Sequence, residues 1–339
     1  MPSLGLIVEA STTTAASREA DRTLMAIAVA RGWGSLRVSH VTGDVLALGR
    51  YHLAPAGAPD VILDRRLTGG RAAASGAGFV TLALALPHRS ALVSDDPLAL
   101  APEQVLNRAV RGLLGALEAA GVAAIYPGRD VVTAARRPIA VVGFEIDGTG
   151  ATLIEAVLSL ERDQSLLPHL LDRADPPGVV GAGMVLPGDV TSLAQELGRV
   201  PELDEVVAWL RHGYEARLGI RFVGEDPPRE VNGDVDRTVR SRVLRPELDR
   251  HGVTATMLGR FEAHCALAAD GTLAEVVLAG DFLAPSPTID RLERALRGCR
   301  PDVEILEGII DGVVRPPHDF ILGVGPLRTV AETIARGAA

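Results

Sequence analysis

Apolar and polar positions alternate along this chain with two periods, and the first clear stretch has the helical one. In residues 17–32, Leu24, Ile27 and Ala28 fall on one side and Arg18, Asp21 and Arg22 on another, which predicts an amphipathic helix. The period then shortens. LRVSH (36–40) and VLALG (45–49) read as strands joined by Thr42-Gly43-Asp44 in a hairpin, VILD (61–64) as a third, and FVTLALALP (79–87) as a buried one. Between 102 and 121, Val105, Ala109, Val110, Leu113, Leu114 and Leu117 recur at three and four, with Pro102 at the start and Gly121 at the end, so a second helix is expected. Three strands follow at AAIYP (123–127), DVVTA (130–134) and PIAVVGFEI (138–146). The last pairs with ATLIEAVLSL (151–160) across Asp147-Gly148-Thr149-Gly150.

A helical region at 191–219 carries Leu193, Leu197, Val206, Val207 and Leu210. Beyond it GEDPPREVNGDVD (224–236) is polar, proline-bearing and without period, which marks a boundary between units at 1–225 and 237–339. The second unit alternates through FEAHCALAADGTLAEVVLAGDF (261–282) around Asp270-Gly271, a hairpin signal, and closes with amphipathic helices at 287–299 and 325–337. The fold class is therefore α/β (α+β): mixed and antiparallel sheets flanked by helices, with a small α+β unit behind. A length of 339 residues suits two cores better than one.

Composition narrows the function classes. A net charge of -9 disfavours a grip on nucleic acid or on an anionic membrane. No apolar run approaches the roughly 20 residues that span a bilayer, and MPSLGLIVEASTTT lacks the basic start and cleavage pattern of a signal peptide, so a cytoplasmic protein is expected. Cys265 and Cys299 are too few for a disulfide framework and read as ordinary thiols. His40, His52, His88 and His169 have no ligand spacing, so no metal site is expected. The chain contains no lysine, and all 34 of its basic residues are arginine. No side chain can act as a lysine-type nucleophile or as a compact ammonium clamp.

Three segments set arginine beside glycine: Gly49-Arg50-Tyr51-His52, Arg65-Arg66-Leu67-Thr68-Gly69-Gly70 and Gly128-Arg129-Asp130. Glycine lets a backbone approach an anion closely, and arginine forks onto carboxylate or phosphate oxygens. Together they suggest a small acidic ligand, with solvated turn arginines as the alternative.

In order and spacing these segments resemble the lipoate-protein ligase family, within the wider biotin and lipoate attachment group. Its pattern runs from a strand ending in Gly-Arg through Arg-Arg-x-Ser/Thr-Gly-Gly-Gly and Gly-Arg-Asn-Asp to a strand opened by lysine. Ala279-Gly280-Asp281-Phe282 and the helix after it are similar to the family's accessory domain. The resemblance implies ATP- and magnesium-dependent activation of lipoate, or a related acid, as an acyl-adenylate, with transfer to a lysine of a lipoyl carrier domain. It also implies that Arg50, His52, Arg65, Arg66, Thr68, Gly69, Gly70, Arg71, Gly128, Arg129 and Asp130 line the substrate, with the glycine-rich backbone N–H groups on its charged oxygens.

The departures concentrate where the chemistry would be. Pro138 stands where the family has its lysine, and strand alternation offers Arg136, two residues back, as the local substitute, with Arg71 as a second cation. Arg71 also replaces the loop's third glycine, where its bulk should enter a backbone-lined slot. The related octanoyl transferase route lacks its cysteine in ERDQSLLPHLL. Two readings remain, a divergent acyl-adenylate-forming ligase and a degenerate ligase that binds an acyl or carboxylate ligand without turnover. Asp281 is expected as a hairpin-end residue.

Overall fold

A computed structural model describes residues 3–54, 60–174, 188–228 and 242–339. The boundary segment read at 224–236 lies outside these from 229 onward. The chain opens on β1 (Ser3–Thr12) and enters α1 (Thr14–Arg31), capped where the Thr13 hydroxyl accepts from Ala16 N at 3.3 Å and ended by Gly32 at φ 74°. Next come β2 (Ser35–Val41), β3 (Asp44–Leu48), β4 (Ile62–Arg65), β5 (Ala73–Gly76) and β6 (Phe79–Leu86), then α2 (Gln104–Ala119). Strands β7 (Ala124–Ile125), β8 (Val131–Ala134), β9 (Arg137–Ile146) and β10 (Thr152–Ser159) precede α3 (Leu167–Ala174), α4 (Leu193–Leu197), α5 (Leu203–Leu218) and β11 (Arg221–Gly224).

Eight of these strands form one mixed sheet in the order β11-β1-β2-β6-β10-β9-β8-β7, and β4-β3-β5 form a second, smaller one. The predicted hairpin of β2 and β3 is not made. β2 pairs with β1 and β6, whereas β3 pairs with β4 and β5, because the chain changes sheets at Gly43, which takes φ 80°. The β9–β10 hairpin is formed as read, with Thr152 opposite Ile146. The single helical region read at 191–219 is two helices, since Gly198 ends α4 in the left-handed conformation and Pro201 follows.

One face of the large sheet is covered by α2 and α5, through Val105, Leu106, Val110, Leu113 and Leu117 against Leu82, Leu84 and Val142. Each such side chain contributes roughly 1.5–3 kcal/mol when fully buried. The other face meets α1 through Leu24 and Met25 packed on Ile7, Ala83, Ala85 and Leu153. A third sheet, antiparallel β12 (Arg250–Ala255), β13 (Arg260–Leu267) and β14 (Leu273–Gly280), carries α6 (Ser286–Ala295), α7 (Val303–Val313) and α8 (Arg328–Ala338) over its own apolar core. Of these, β12 and α7 were not read from the sequence. No helix among the described residues is long and apolar enough to cross a membrane.

Candidate functional site

The glycine-rich segment leaves β4 and crosses between the large sheet and the C-terminal unit. Its backbone donors can be accounted for one by one. Thr68 N donates to Glu155 Oε2 at 3.0 Å, Gly69 N to the Phe144 carbonyl at 3.1 Å, Gly70 N to the Phe282 carbonyl at 2.8 Å, and Arg71 N to Asp130 Oδ2 at 3.0 Å. The glycines serve this close approach. A Cβ on Gly69 would lie 2.6 Å from the Phe282 carbonyl oxygen, and one on Gly143 would lie 2.3 Å from that of Gly69. The N–H groups expected to hold a ligand's charged oxygens are thus bonded to the protein itself, a correction to the reading made from the motif.

Arg71 corrects a second expectation. Rather than projecting into a slot, its guanidinium turns onto Asp130, with Nε 2.8 Å from Oδ2 and Nη2 2.6 Å from Oδ1, and it also donates to the Leu258 carbonyl at 2.9 Å. Burial disfavours the Arg71 charge, but Asp130 beside it overcomes this and raises its pKa. The pair ties two of the predicted segments together. Gly128 and Arg129, from the same loop as buried Asp130, are exposed.

The other arginines act mostly on backbone. Arg65 donates through Nη1 to the carbonyls of Arg50 (3.2 Å) and His52 and through Nη2 to that of Arg242 (2.7 Å). Its burial, with Arg242 and Arg50 close by, brings its pKa down to about 10. Arg50 donates to the Leu67 carbonyl at 3.4 Å and lies 3.6 Å from Glu145. Arg66 is fully buried and donates to the Arg71 carbonyl, while its Nε and Nη1 have no acceptor among the described residues.

Behind the loop lies a buried ionic network that the helical pattern did not suggest. Arg18 and Asp21, read on the side of α1 away from Leu24, Ile27 and Ala28, are drawn into it. Arg18 bonds Asp64 at 3.0 Å and also Glu155, and Arg37 bonds Asp21 at 3.0 Å and also Glu9. Burial alone would raise the Glu155 pKa, but Arg18 and Arg66, with the Thr68 hydroxyl donating at 2.7 Å, hold it below the usual carboxylate range. Asp21 is pushed up to about 6 by burial, against Arg37 and Arg18. Glu145 is pushed up to about 7 by burial, against Arg50 and the Ser286 N–H. The available signal was a lone carboxylate inside an apolar strand, as in TLIEAVLS and VVGFEI.

His52 joins this site to the C-terminal unit. Its Nδ1 accepts from Gly49 N at 2.9 Å, so Nε2 carries the proton and donates to Asp281 Oδ1 at 2.9 Å. Asp281 follows β14 as expected, and its second oxygen accepts from Arg260 N at 2.8 Å. Beside it the Tyr51 and Phe282 rings stack at 4.4 Å, and the Tyr51 hydroxyl donates to the Ala284 carbonyl at 2.8 Å.

Pro138, the residue aligned on the family's lysine, lies apart from these groups. Pro138 is buried at the start of β9, its carbonyl accepting from Thr191 N at 3.0 Å. It lies five residues, roughly 16 Å, along the strand from Gly143, where the glycine-rich segment crosses. Arg136 is not on that strand. With Ala135 it forms the exposed β8–β9 turn at φ 67° and 47°, so the alternation that aligned it with Pro138 does not apply.

A cavity of about 280 Å³ opens between the start of α1 and the small sheet. Leu48, Leu63 and Leu67 give it an apolar wall, and Arg18, Arg22 and Arg65 add positive charge beside Glu19 and Asp64.

No family model matches the chain, and no curated protein matches it by sequence. Solved structures do match. P. falciparum LipL1 in complex with lipoate superposes with a TM-score of 0.66 over 98% of this chain and 99% of that one, at 11% identity. A lipoate-protein ligase A bound with ATP gives 0.52 over 71% and 93%, at 18% identity. A bi-partite lipoate protein ligase from Thermoplasma acidophilum gives 0.51 over 70% and 91%, at 17% identity. The chain has the lipoate-protein ligase fold.

Proposed function

We propose that this chain is a lipoate-protein-ligase-like protein that binds a small carboxylic acid and does not activate it as an adenylate. The observation that carries this reading is the engagement of all four N–H groups from Thr68 to Arg71 by acceptors within the protein. Adenylate formation needs preorganised donors aimed at developing negative charge. Three of these four donors go to partners within the same part of the chain, namely Glu155, Phe144 and Asp130. Withdrawing the C-terminal unit would release only that of Gly70. The chain has no lysine to substitute. The ligand's place is the cavity beside α1, whose leucine wall suits an acyl chain and whose Arg22, bonded to Glu19 through Nη1, suits its carboxylate. At about 280 Å³ it is at the small end of ligand pockets, which run from about 300 to 1,000 Å³. A medium-chain acid fits that size better than a nucleotide does.

A second reading keeps turnover: ATP- and magnesium-dependent activation of lipoate or octanoate and transfer to a lysine of a lipoyl carrier domain. The likeness to LipL1 with lipoate, which extends through both ends of the chain, favours it. One experiment separates the two. The purified chain is titrated calorimetrically with octanoate and lipoate, then incubated with ATP, magnesium, either acid and a lipoyl carrier domain whose mass is read. Binding without ATP, weakened about tenfold by Arg22→Glu, with an unmodified carrier and no AMP formed, is the expected result. An acylated carrier would establish the second reading and overturn the first.

A further inference from the structure

The C-terminal sheet places two histidines and a glutamate at one point of its surface. His251 of β12 stands opposite His264 of β13, and Glu262, two residues before His264, shares its face. The imidazoles stack with centroids 4.3 Å apart at 21°. Glu262 Oε2 lies 3.0 Å from His264 Nε2 and 3.4 Å from His251 Nε2, and one ligand atom from each residue falls within 4.8 Å of the others. Among the described residues this is the only group of three or more such side chains.

We propose that His251, Glu262 and His264 form a binding site for a first-row divalent cation of the zinc class. Zinc sits about 2.0–2.1 Å from nitrogen and oxygen ligands, and tetrahedral geometry then separates its ligand atoms by roughly 3.3 Å. The two oxygen–nitrogen distances bracket that value, so side-chain rotation that turns both imidazole nitrogens toward one ion completes the set without moving the strands. Two imidazoles and one carboxylate are also a donor set that zinc, iron and nickel share, while magnesium and calcium prefer all-oxygen shells. Three protein ligands leave a fourth position. The cluster lines a partly open cavity of about 260 Å³ together with Leu244, Leu248 and the His52–Asp281 pair, so that position faces this pocket. Glu262 is fixed from behind, its Oε1 lying 3.2 Å from Arg260 Nη2, and Arg260 N is the donor to Asp281. Such outer partners orient metal ligands.

This site is independent of the acyl-ligand reading. The test uses the full-length chain without a histidine tag. Zinc chloride is titrated calorimetrically, and the metal content is measured after gel filtration. Cobalt(II) is then added, because its visible bands report coordination number. One equivalent of zinc and intense tetrahedral-type cobalt bands are expected. His251 is part-exposed, so His251→Ala should fold as the wild type does, which circular dichroism checks. It should bind zinc at least about a hundredfold more weakly, since loss of an outer partner alone costs 10–100-fold. Glu262→Gln should lose the intense bands. Zinc binding unchanged in both variants, binding abolished by Cys299→Ser instead, or no binding by the wild type would each overturn the proposal.

Discussion

Asp130 offers the sharpest test of how the glycine-rich segment is held. It has no exposed surface, and it accepts three hydrogen bonds from Arg71: from the backbone N at 3.0 Å, from Nε at 2.8 Å and from Nη2 at 2.6 Å. Replacing it with alanine removes both acceptor oxygens, and all three bonds with them, and takes the Asp130 charge from a guanidinium whose side chain is 12% exposed. Losing one partner of a buried ion pair costs about 3–5 kcal/mol, and solvent access at Arg71 places Asp130→Ala near the lower limit, about 3 kcal/mol. With a urea slope of about 3 kcal/mol/M, the midpoint falls by about 1 M. Arg71→Gly, which strands the carboxylate instead, costs a similar amount. The double variant removes both charges and recovers part of the loss, so the cycle gives a coupling of about 2 kcal/mol. Urea unfolding followed by circular dichroism measures all four proteins. Single losses below about 1 kcal/mol, or strictly additive ones, would refute the view that this pair clamps the loop.

Further outcomes are expected. Glu145 has its folded pKa raised to about 7, above its unfolded value, so the native state keeps a proton that the unfolded chain releases. Its contribution to stability is complete below about pH 4.5 and is lost as pH rises through 7. Asp21, raised to about 6, acts in the same direction. The melting temperature should therefore fall between pH 5 and 7, and fall less in Glu145→Gln; an identical profile in the variant would remove Glu145 as a cause. Glu155→Gln should cost about 3 kcal/mol in urea, because it takes the charge from buried contacts to Arg18 and to the Thr68 N–H and hydroxyl. Arg136→Gly should stabilise the chain by about 1 kcal/mol, since glycine adopts φ 67° without the left-handed penalty, and should leave octanoate binding unchanged. A loss of binding there would restore Arg136 as a site residue.

The architecture was legible wherever one period ran long enough. α2, the β9–β10 and β13–β14 hairpins and the buried β6 all lie within a few residues of where the pattern placed them. The β2–β3 hairpin was misread because a glycine turn between two strands looks the same whether the chain folds back in one sheet or moves to another. The site was legible as an ordered set of motifs but not in its bonding. Spacing brought Arg71 and Asp130 into one list, yet only the folded chain directs the guanidinium to the carboxylate rather than to a ligand. Helical spacing set Arg18 and Asp21 apart from the apolar side of α1 but gave no sign that Glu155 and Arg37, from distant strands, bury both. The His251–Glu262–His264 cluster left no trace in spacing, since a cross-strand pair is set by register and its members are 13 residues apart.

The seam between the two halves of the chain limits how they can move. Gly70 to Phe282, Arg71 to Leu258, Tyr51 to Ala284 and His52 to Asp281 are short, directional bonds, and the Tyr51 and Phe282 rings lie flat against each other. Hydrogen bonds of this kind do not stretch by several ångströms and survive. Separation of the halves must therefore be a latch that releases as one event, with a threshold, and not a hinge that yields by degrees.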